Sequence, residues 1–316
     1  MCLSSDFKPQ STENTPFKAG SDLSVAATVA DWFVSQGYPV YAISPINEPQ
    51  WSWGGAWVGQ EGCHFEPDEA IELLEMFAVE MKKRNSPYRL NCPESGEMSW
   101  NHYEYVEKFF ASEILCDFCD SFSGHSYWMD SKSEEKQQIG DKFKADYPDK
   151  KYEMSEWCEL PLTLDSKGID SGLLMARVII DDLTKMNAVS WQSWIAVNGD
   201  GLLDRENGEL ITYTRYYAFK HFSSFIKNGM VRVRIFDNLS DKSQIQSVAF
   251  AGESENVIVL LNPEAEAEQI RLCGLFGNTE IFITDESRKC ERIHNGKTPN
   301  SIEIPAKSIV TIRTTH

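Results

Sequence analysis

Apolar positions follow two regimes along the chain. Up to about residue 229, short apolar runs alternate with longer stretches of helical spacing; beyond it, apolar and polar residues alternate in short segments. In the first regime strands are expected at 40–46, 88–92, 118–122, 151–154 and 188–196. Helices are expected over 23–36, 67–84, 99–114, 133–146 and 169–186, with a last one at 213–226. Pro67-Asp68-Glu69 opens the second helix, and Ile71, Leu74, Phe77, Ala78 and Met81 recur on one face of it. Strand followed by helix, five times over, means βα units and a parallel sheet. Residues able to do chemistry gather at the strand C-terminal ends, and no glycine-rich phosphate loop follows any strand. The expected fold class is therefore α/β, with a (β/α) barrel of the TIM type preferred over an open dinucleotide-binding sheet.

The second regime consists of runs at 231–236, 247–251, 257–261, 269–273, 280–284, 301–304 and 308–313. Turn signals such as Asn262-Pro263, Gly277-Asn278 and Asn295-Gly296 fall between them, which predicts an antiparallel β-sandwich. The expected division is thus residues 1–229 for the barrel part and 230–316 for the sandwich, with residues 1–20 as loop.

Composition narrows the partners. The 316 residues are 41% hydrophobic, enough for a sizeable core, and carry a net charge of -18. Such a surface repels nucleic acid and anionic membranes, so neither is expected as a partner. No apolar run is long enough to span a bilayer, and no signal-peptide pattern follows Met1. The eight cysteines do not read as a disulfide framework in a chain of this length; Cys92, Cys116 and Cys273 are expected as small buried hydrophobes. Cys116-x-x-Cys119 has no second pair at zinc-ligand spacing, so no metal or other cofactor is expected.

The strand at 40–46 runs into Asn47-Glu48-Pro49-Gln50-Trp51, with Trp53 and Trp57 close behind. That places a carboxylic acid at a strand end, an amide beside it and flat apolar faces next to both. A carboxyl group can protonate a glycosidic oxygen, an amide can bond a sugar hydroxyl, and an indole stacks on a pyranose face. The strand at 151–154 ends similarly in Ser155-Glu156-Trp157. Strand ends on one barrel rim converge, so Glu48 and Glu156 can form the acid/base and nucleophile of a retaining glycosidase. Asn47 is a candidate for the 2-hydroxyl, Tyr127 for orienting the nucleophile and His125 for a substrate hydroxyl. Trp51, Trp53, Trp157 and Trp191 are candidate sugar platforms. Glu94, at the end of the strand 88–92, ranks third among the carboxylates because no indole adjoins it.

These segments, taken in order, resemble glycoside hydrolase family 30. The resemblance rests on Ser44-Pro45-Ile46-Asn47-Glu48-Pro49-Gln50-Trp51, Gly59-Gln60-Glu61-Gly62-Cys63, Gly124-His125-Ser126-Tyr127, Met154-Ser155-Glu156-Trp157 and Tyr216-Tyr217-Ala218-Phe219-Lys220-His221-Phe222-Ser223. It implies a (β/α)8 barrel with a side β-sandwich, and a retaining mechanism with Glu48 as acid/base after the fourth strand and Glu156 as nucleophile after the seventh. Gln50-Trp51 and the 59–63 run are most similar to the endo-β-1,6-galactanase-like branch. Relatives acting on glucuronoxylan or β-1,6-glucan, or exo-acting on β-hexosides, are the alternatives, as is an inactive or carbohydrate-binding remnant. The substrate expected is a polysaccharide or oligosaccharide, and the expected location is extracellular or periplasmic. Counted this way, the chain holds strands 4–8 only, which implies a missing N-terminal segment.

Overall fold

The computed structural model describes residues 19–52, 64–235, 243–275 and 277–316, with side chains from Val25 onward. It divides into two compact units. The first comprises Met1–Trp157 with Lys185–Gln192, the second Cys158–Thr184 with Ser193–His316.

In the first unit the βα alternation is as the pattern predicts. Helix α1 (Ala19–Ser35) precedes β1 (Ala42–Ile43), and α2 (Pro67–Arg84) leads to β2 (Arg89–Leu90) and β3 (Cys92–Ser95). Next come α3 (Tyr103–Ala111), α4 (Glu113–Phe118), β4 (Ser121–His125), α5 (Ser133–Asp146), β5 (Lys151–Glu156) and, after the excursion into the second unit, β6 (Ala188–Trp191). Helix α2 illustrates why these segments are helical. Pro67 sits in its first turn, Glu66 and Glu69 form a capping box, and Asn85 closes it in the left-handed region. Its Ala70, Leu74, Phe77, Ala78 and Met81 are buried at helical spacing, and Lys82, Lys83 and Arg84 complement the C-terminal end of the helix dipole.

All pairs in this unit's sheets are parallel: β1 with β2, then β3, β4, β5 and β6 in sequence order. Strands β2 and β3 form one line broken at Asn91, whose N–H reaches the Ile43 carbonyl at 3.0 Å. The barrel is not closed: β1 and β6 are the outer strands among the described residues. Several segment boundaries differ from expectation: the strand expected at 40–46 is confined to Ala42–Ile43, and the one expected at 188–196 ends at Trp191. The helix foreseen over 99–114 breaks at Ser112, whose hydroxyl accepts from Leu115 N–H and caps α4. Because α4 runs on to Phe118, the strand expected at 118–122 starts three residues later.

The second unit combines α6 (Ile169–Thr184), a hairpin of β7 (Leu203–Glu206) and β8 (Glu209–Thr212), α7 (Thr214–Ser223) and a sheet-rich C-terminal part. The hairpin turns at Asn207-Gly208, both at positive φ (51° and 86°), the backbone that a two-residue primed turn requires. The strands of the C-terminal part are β9 (Val231–Val233), β10 (Gln246–Ala251), β11 (Glu255–Asn262), β12 (Glu268–Arg271), β13 (Asn278–Thr284), β14 (Glu291–Lys297), β15 (Ser301–Ile304) and β16 (Ser308–Thr315). Six form an antiparallel sheet in the order β14-β13-β16-β11-β10-β9, and β12 pairs with β15. Leu260, Ile281, Ile283, Ile304, Val310 and Ile312 make the buried cluster, with Ile258, Ile270 and Ile302 packed on it. Each such fully buried side chain contributes roughly 1.5–3 kcal/mol.

Three expectations are corrected here. Helices α6 and α7 group with the C-terminal sheet, so the compact units are not cut at residue 229. Asn295-Gly296 lies inside β14 rather than at a turn; this strand is an exposed edge, so no apolar alternation marks it. Cys273 is exposed, not buried.

One buried histidine ties α7 to the sheet. His221 is fully buried, its Nδ1 2.7 Å from the Thr311 hydroxyl and its Nε2 2.8 Å from that of Thr284. Burial, with a smaller effect of Lys220, pushes its pKa down to about 3 from 6.5. The unfolded chain therefore takes up a proton that the folded chain refuses. Stability contributed by neutral His221 is full above about pH 6.5 and declines as pH falls toward about 3. Between about pH 7 and pH 5 the wild type should lose about 2 kcal/mol more stability than a His221→Gln variant, measured by urea unfolding. Parallel pH dependence in the two proteins would contradict this.

Candidate active site

Four strand ends of the first unit converge on one imidazole. Parallel pairing sets Ser95 opposite Gly124 and His125 opposite Glu156, so the ends of β3, β4 and β5 share one level. The register shifts between Pro93 and Ser95 and again between Gly124 and His125; these irregularities leave Glu94 and Ser155 outside the regular ladder. Such bulges re-aim side chains and occur next to active sites. Glu94 (φ 59°) and Glu48 (φ 48°) both adopt the left-handed backbone, a conformation costing of order 1–3 kcal/mol that the surroundings must hold in place. Glu48 N–H donates to the Glu94 carbonyl at 2.8 Å, and the Glu48 carbonyl accepts from Trp51 N–H at 3.3 Å, closing the Asn-Glu-Pro turn.

His125 is fully buried. Its Nδ1 lies 2.9 Å from Glu48 Oε1 and 3.7 Å from Glu156 Oε1. Its Nε2 faces Glu94 Oε2 at 3.6 Å, an ion-pair distance rather than a hydrogen bond. Tyr127 packs edge-on to the imidazole, and its hydroxyl donates to Glu156 Oε1 at 3.0 Å. Glu94 accepts hydrogen bonds from the Ser44 and Ser155 hydroxyls, one on each carboxylate oxygen.

The electrostatics follow from this packing. Burial works against a charged imidazole, but the hydrogen bond to Glu48 and the charges of Glu94 and Glu156 outweigh it and raise the His125 pKa to about 10. Burial raises the Glu94 carboxyl, yet His125 and the two serine hydroxyls hold it below the usual carboxylate range. Glu156 moves the other way. Burial is the main cause; His125 opposes it, the charges of Glu48 and Glu94 reinforce it, and the Tyr127 hydrogen bond works against it. One oxygen each of Glu48 and Glu156 and a ring nitrogen of His125 lie within 4.8 Å of one another, a spacing a divalent cation can bridge. The doubly protonated ring that the flanking acids favour offers no lone pair to such an ion and instead bridges the acids.

The other predicted residues fall into three groups. Asn47 is half-buried beside Glu48. The Trp51 ring lies so close over Gly96 that a Cβ there would come within 2.5 Å of it. Trp191 is half-buried and meets Trp157 with ring centroids 6.0 Å apart. Trp157 corrects the expectation of a sugar platform: it is fully buried, and its Nε1 donates to Asp130 Oδ1 at 2.9 Å. His125 likewise is no hydroxyl contact at the surface but the centre of the carboxylate cluster. Trp53, Trp57 and the 59–63 motif lie outside the described residues. Glu94, ranked third in the sequence, is a full member of the cluster, as are Ser44 and Ser155, neither of them singled out above; Ser155 adjoins Glu156, whereas Ser44 stands four residues before Glu48.

Two carboxyl groups held this close at parallel strand ends, one of them more open than the other, form the kind of site that cleaves glycosidic bonds. Residues 10–204 match the sequence profile "O-Glycosyl hydrolase family 30", and the chain belongs to this family of glycoside hydrolases. Among curated protein sequences none matches significantly. Solved structures similar in fold include a GH30 endoxylanase from Clostridium papyrosolvens C71 (TM-score 0.77, 20% identity, 95% of this chain and 72% of that one). A conserved exported protein from Bacteroides fragilis is similar over 94% of this chain and 70% of its own (TM-score 0.80, 22% identity). The endo-β1,6-glucanase BT3312 is similar over 94% and 64% (TM-score 0.68, 17% identity).

Removing the Tyr127 hydroxyl tests the electrostatics of Glu156. Tyr127→Phe withdraws a hydrogen bond that favours the ionised carboxylate, so the Glu156 pKa should rise further. The acid limb of kcat/KM should shift upward, and the loss at lower pH should reach roughly ten- to a hundredfold, the effect of one hydrogen bond to a charged group. An acid limb that stays in place would separate Tyr127 from the ionisation of Glu156.

Proposed function

We propose that the chain is a retaining hydrolase of a β-linked polysaccharide, with endo-acting cleavage of β-1,6-galactan the first substrate to test. The observation that carries the mechanism is the Glu48–Glu156 separation, with one oxygen of each within 4.8 Å of the other. Retaining enzymes hold their carboxyl groups about 5–5.5 Å apart, whereas inverting ones leave about 6.5–9.5 Å for a water. Glu156 is the nucleophile: it attacks the anomeric carbon as Glu48 gives its proton to the leaving oxygen. Glu48 then takes a proton from water, which displaces Glu156 from the glycosyl-enzyme. Tyr127 orients Glu156, Asn47 bonds the 2-hydroxyl, and Trp51 offers an apolar face, joined in the proposal by Trp53 and by Trp191 at the end of β6.

The choice of a neutral β-linked glycan draws support from the chain's net charge of -18 and from neighbours described as a GH30 endoxylanase and an endo-β1,6-glucanase. The galactan preference rests on Gln50-Trp51 and the 59–63 run. The similarity to an exported Bacteroides protein supports action outside the cytoplasm; among the described residues no helix is long and apolar enough to cross a membrane.

The test is hydrolysis of β-1,6-galactan, β-1,6-glucan, glucuronoxylan and aryl β-glycosides, with the first product followed by NMR. A β-anomer and oligosaccharides are expected as first products. Glu156→Ala should lose nearly all turnover. Glu48→Ala should lose on the order of a hundred- to ten-thousandfold on the polysaccharide, and far less on an aryl glycoside whose leaving group needs no proton. An α-anomer would overturn retention, and oligosaccharide binding without turnover would replace catalysis by a binding role.

A further inference from the structure

Glu94 is the buried acid that the double displacement leaves unused. It cannot touch a sugar: it is 3% exposed, and Ser44 and Ser155 occupy its two carboxylate oxygens. Nor is it a strut between strands alone. Its carboxylate faces the His125 nitrogen that has no hydrogen-bond partner, while the opposite nitrogen serves Glu48 and lies near Glu156. Its main-chain carbonyl also fixes the Glu48 N–H, so one residue holds both the backbone of Glu48 and the far side of the imidazole.

We propose that Glu94 is a positioning residue for the carboxylate pair, a buried counter-ion that keeps His125 doubly protonated and turned toward Glu48 and Glu156. Among the described residues, the titratable groups in ion-pair or ring contact with the imidazole all belong to this arrangement: Glu48 after β1, Glu94 on β3, Tyr127 after β4 and Glu156 on β5. A neutral imidazole can donate from only one nitrogen, and if that proton faced Glu94, the Glu48 side would lose its donor. With Glu94 charged, a proton on Nε2 is favoured without withdrawing the one on Nδ1. The serine hydroxyls keep Glu94 ionised, since each donates to the carboxylate form. The bulge and the left-handed backbone at Glu94 are then the local distortion that turns this side chain toward the imidazole instead of following the ladder.

This inference deepens the proposed glycosidase mechanism and rests on it for its catalytic consequence, but its first test needs no substrate. The 15N-labelled imidazole of His125 is titrated by NMR in the wild type, in Glu94→Gln and in Glu94→Asp. The wild type should stay doubly protonated through about pH 8, while the Gln variant should titrate at least about one unit lower. The Asp variant keeps the charge on a shorter arm and should fall between them. If the Gln variant fails to fold, the Asp variant alone decides, because its midpoint must still lie below the wild type. An unchanged midpoint in a folded variant overturns the proposal.

In the second arm, aryl β-glycoside hydrolysis by Glu94→Gln should show kcat reduced about tenfold or more with KM within about twofold, the loss growing as pH rises through the lowered His125 midpoint. Loss of stability with wild-type kcat and wild-type His125 titration would leave Glu94 a purely structural residue and refute the assignment. Absence of turnover in the wild type itself would remove the glycosidase mechanism, while the NMR titration would still decide what Glu94 does.

Discussion

Three acidic side chains meet in a buried space around one imidazole, and their proximity favours the charged form of His125. Two like charges about 4 Å apart repel by about 4 kcal/mol even at the effective dielectric of a protein surface. Glu48, Glu94 and Glu156 are each within 3.7 Å of the same ring, and the strand register leaves them no room to separate. An imidazolium at the centre offsets this repulsion, with Glu94 and Glu156 both within ion-pair distance of its ring. Burial is the main reason the Glu156 carboxyl is raised, and the neighbouring acids Glu48 and Glu94 push it the same way against the pull of His125. Glu94 takes the opposite course because two hydroxyls and His125 act together on it. Glu94 and Glu156 thus acquire opposite proton affinities from differences in their immediate partners.

The parallel sheet delivers these groups, and its irregularities aim them. Strand order brings β3, β4 and β5 side by side, which places residues far apart in sequence on one level. A regular ladder would send successive side chains to opposite faces. The register shifts at Glu94 and Ser155 interrupt that alternation, so acid and hydroxyl come to share a hydrogen bond. The left-handed backbone at Glu48 does the same for the turn after β1. These conformations are individually unfavourable, and they persist because the Glu48 amide, the Glu94 carbonyl and the His125 contacts restrain them together.

What could be read in the sequence was what depends on period and on chain order. The βα alternation, the start of α2 at Pro67 and the placing of Glu156 at the end of β5 all follow from local pattern, and the structure retains them, while Glu48 lies five residues beyond the end of β1. What could not be read depends on parity, depth or edge. Glu94 looked secondary because no indole adjoins it, yet a bulge that no composition encodes turns it into the cluster. Trp157 looked like a platform because indoles often are; the hydrogen bond to Asp130 that holds it inside is made across 27 positions. Asn295-Gly296 carries a turn signature but lies in β14, an edge strand free of packing demands on one side. The grouping of α6 and α7 with the C-terminal sheet is equally invisible, since amphipathic helices look alike whichever sheet they cover.

Exposure sorts the three acids by what each can reach. Glu94 and Glu48 have side chains only 4% exposed, whereas that of Glu156 is 18% exposed. The proposed nucleophile must meet the anomeric carbon directly, and Glu156 is the most exposed of the three acids. A proton donor needs only one lone pair of a leaving oxygen, which suits the more enclosed Glu48. The residual negative charge around His125 also bears on the substrate. An anionic sugar brought to this cluster would meet one imidazolium and more than one carboxylate, inside a chain whose net charge is already -18. A neutral pyranose incurs no such repulsion, and its transition state develops positive charge at the ring, which the same excess of carboxylate stabilises. In the proposed mechanism, the excess of acid around one imidazole therefore suits oxocarbenium chemistry on an uncharged glycan.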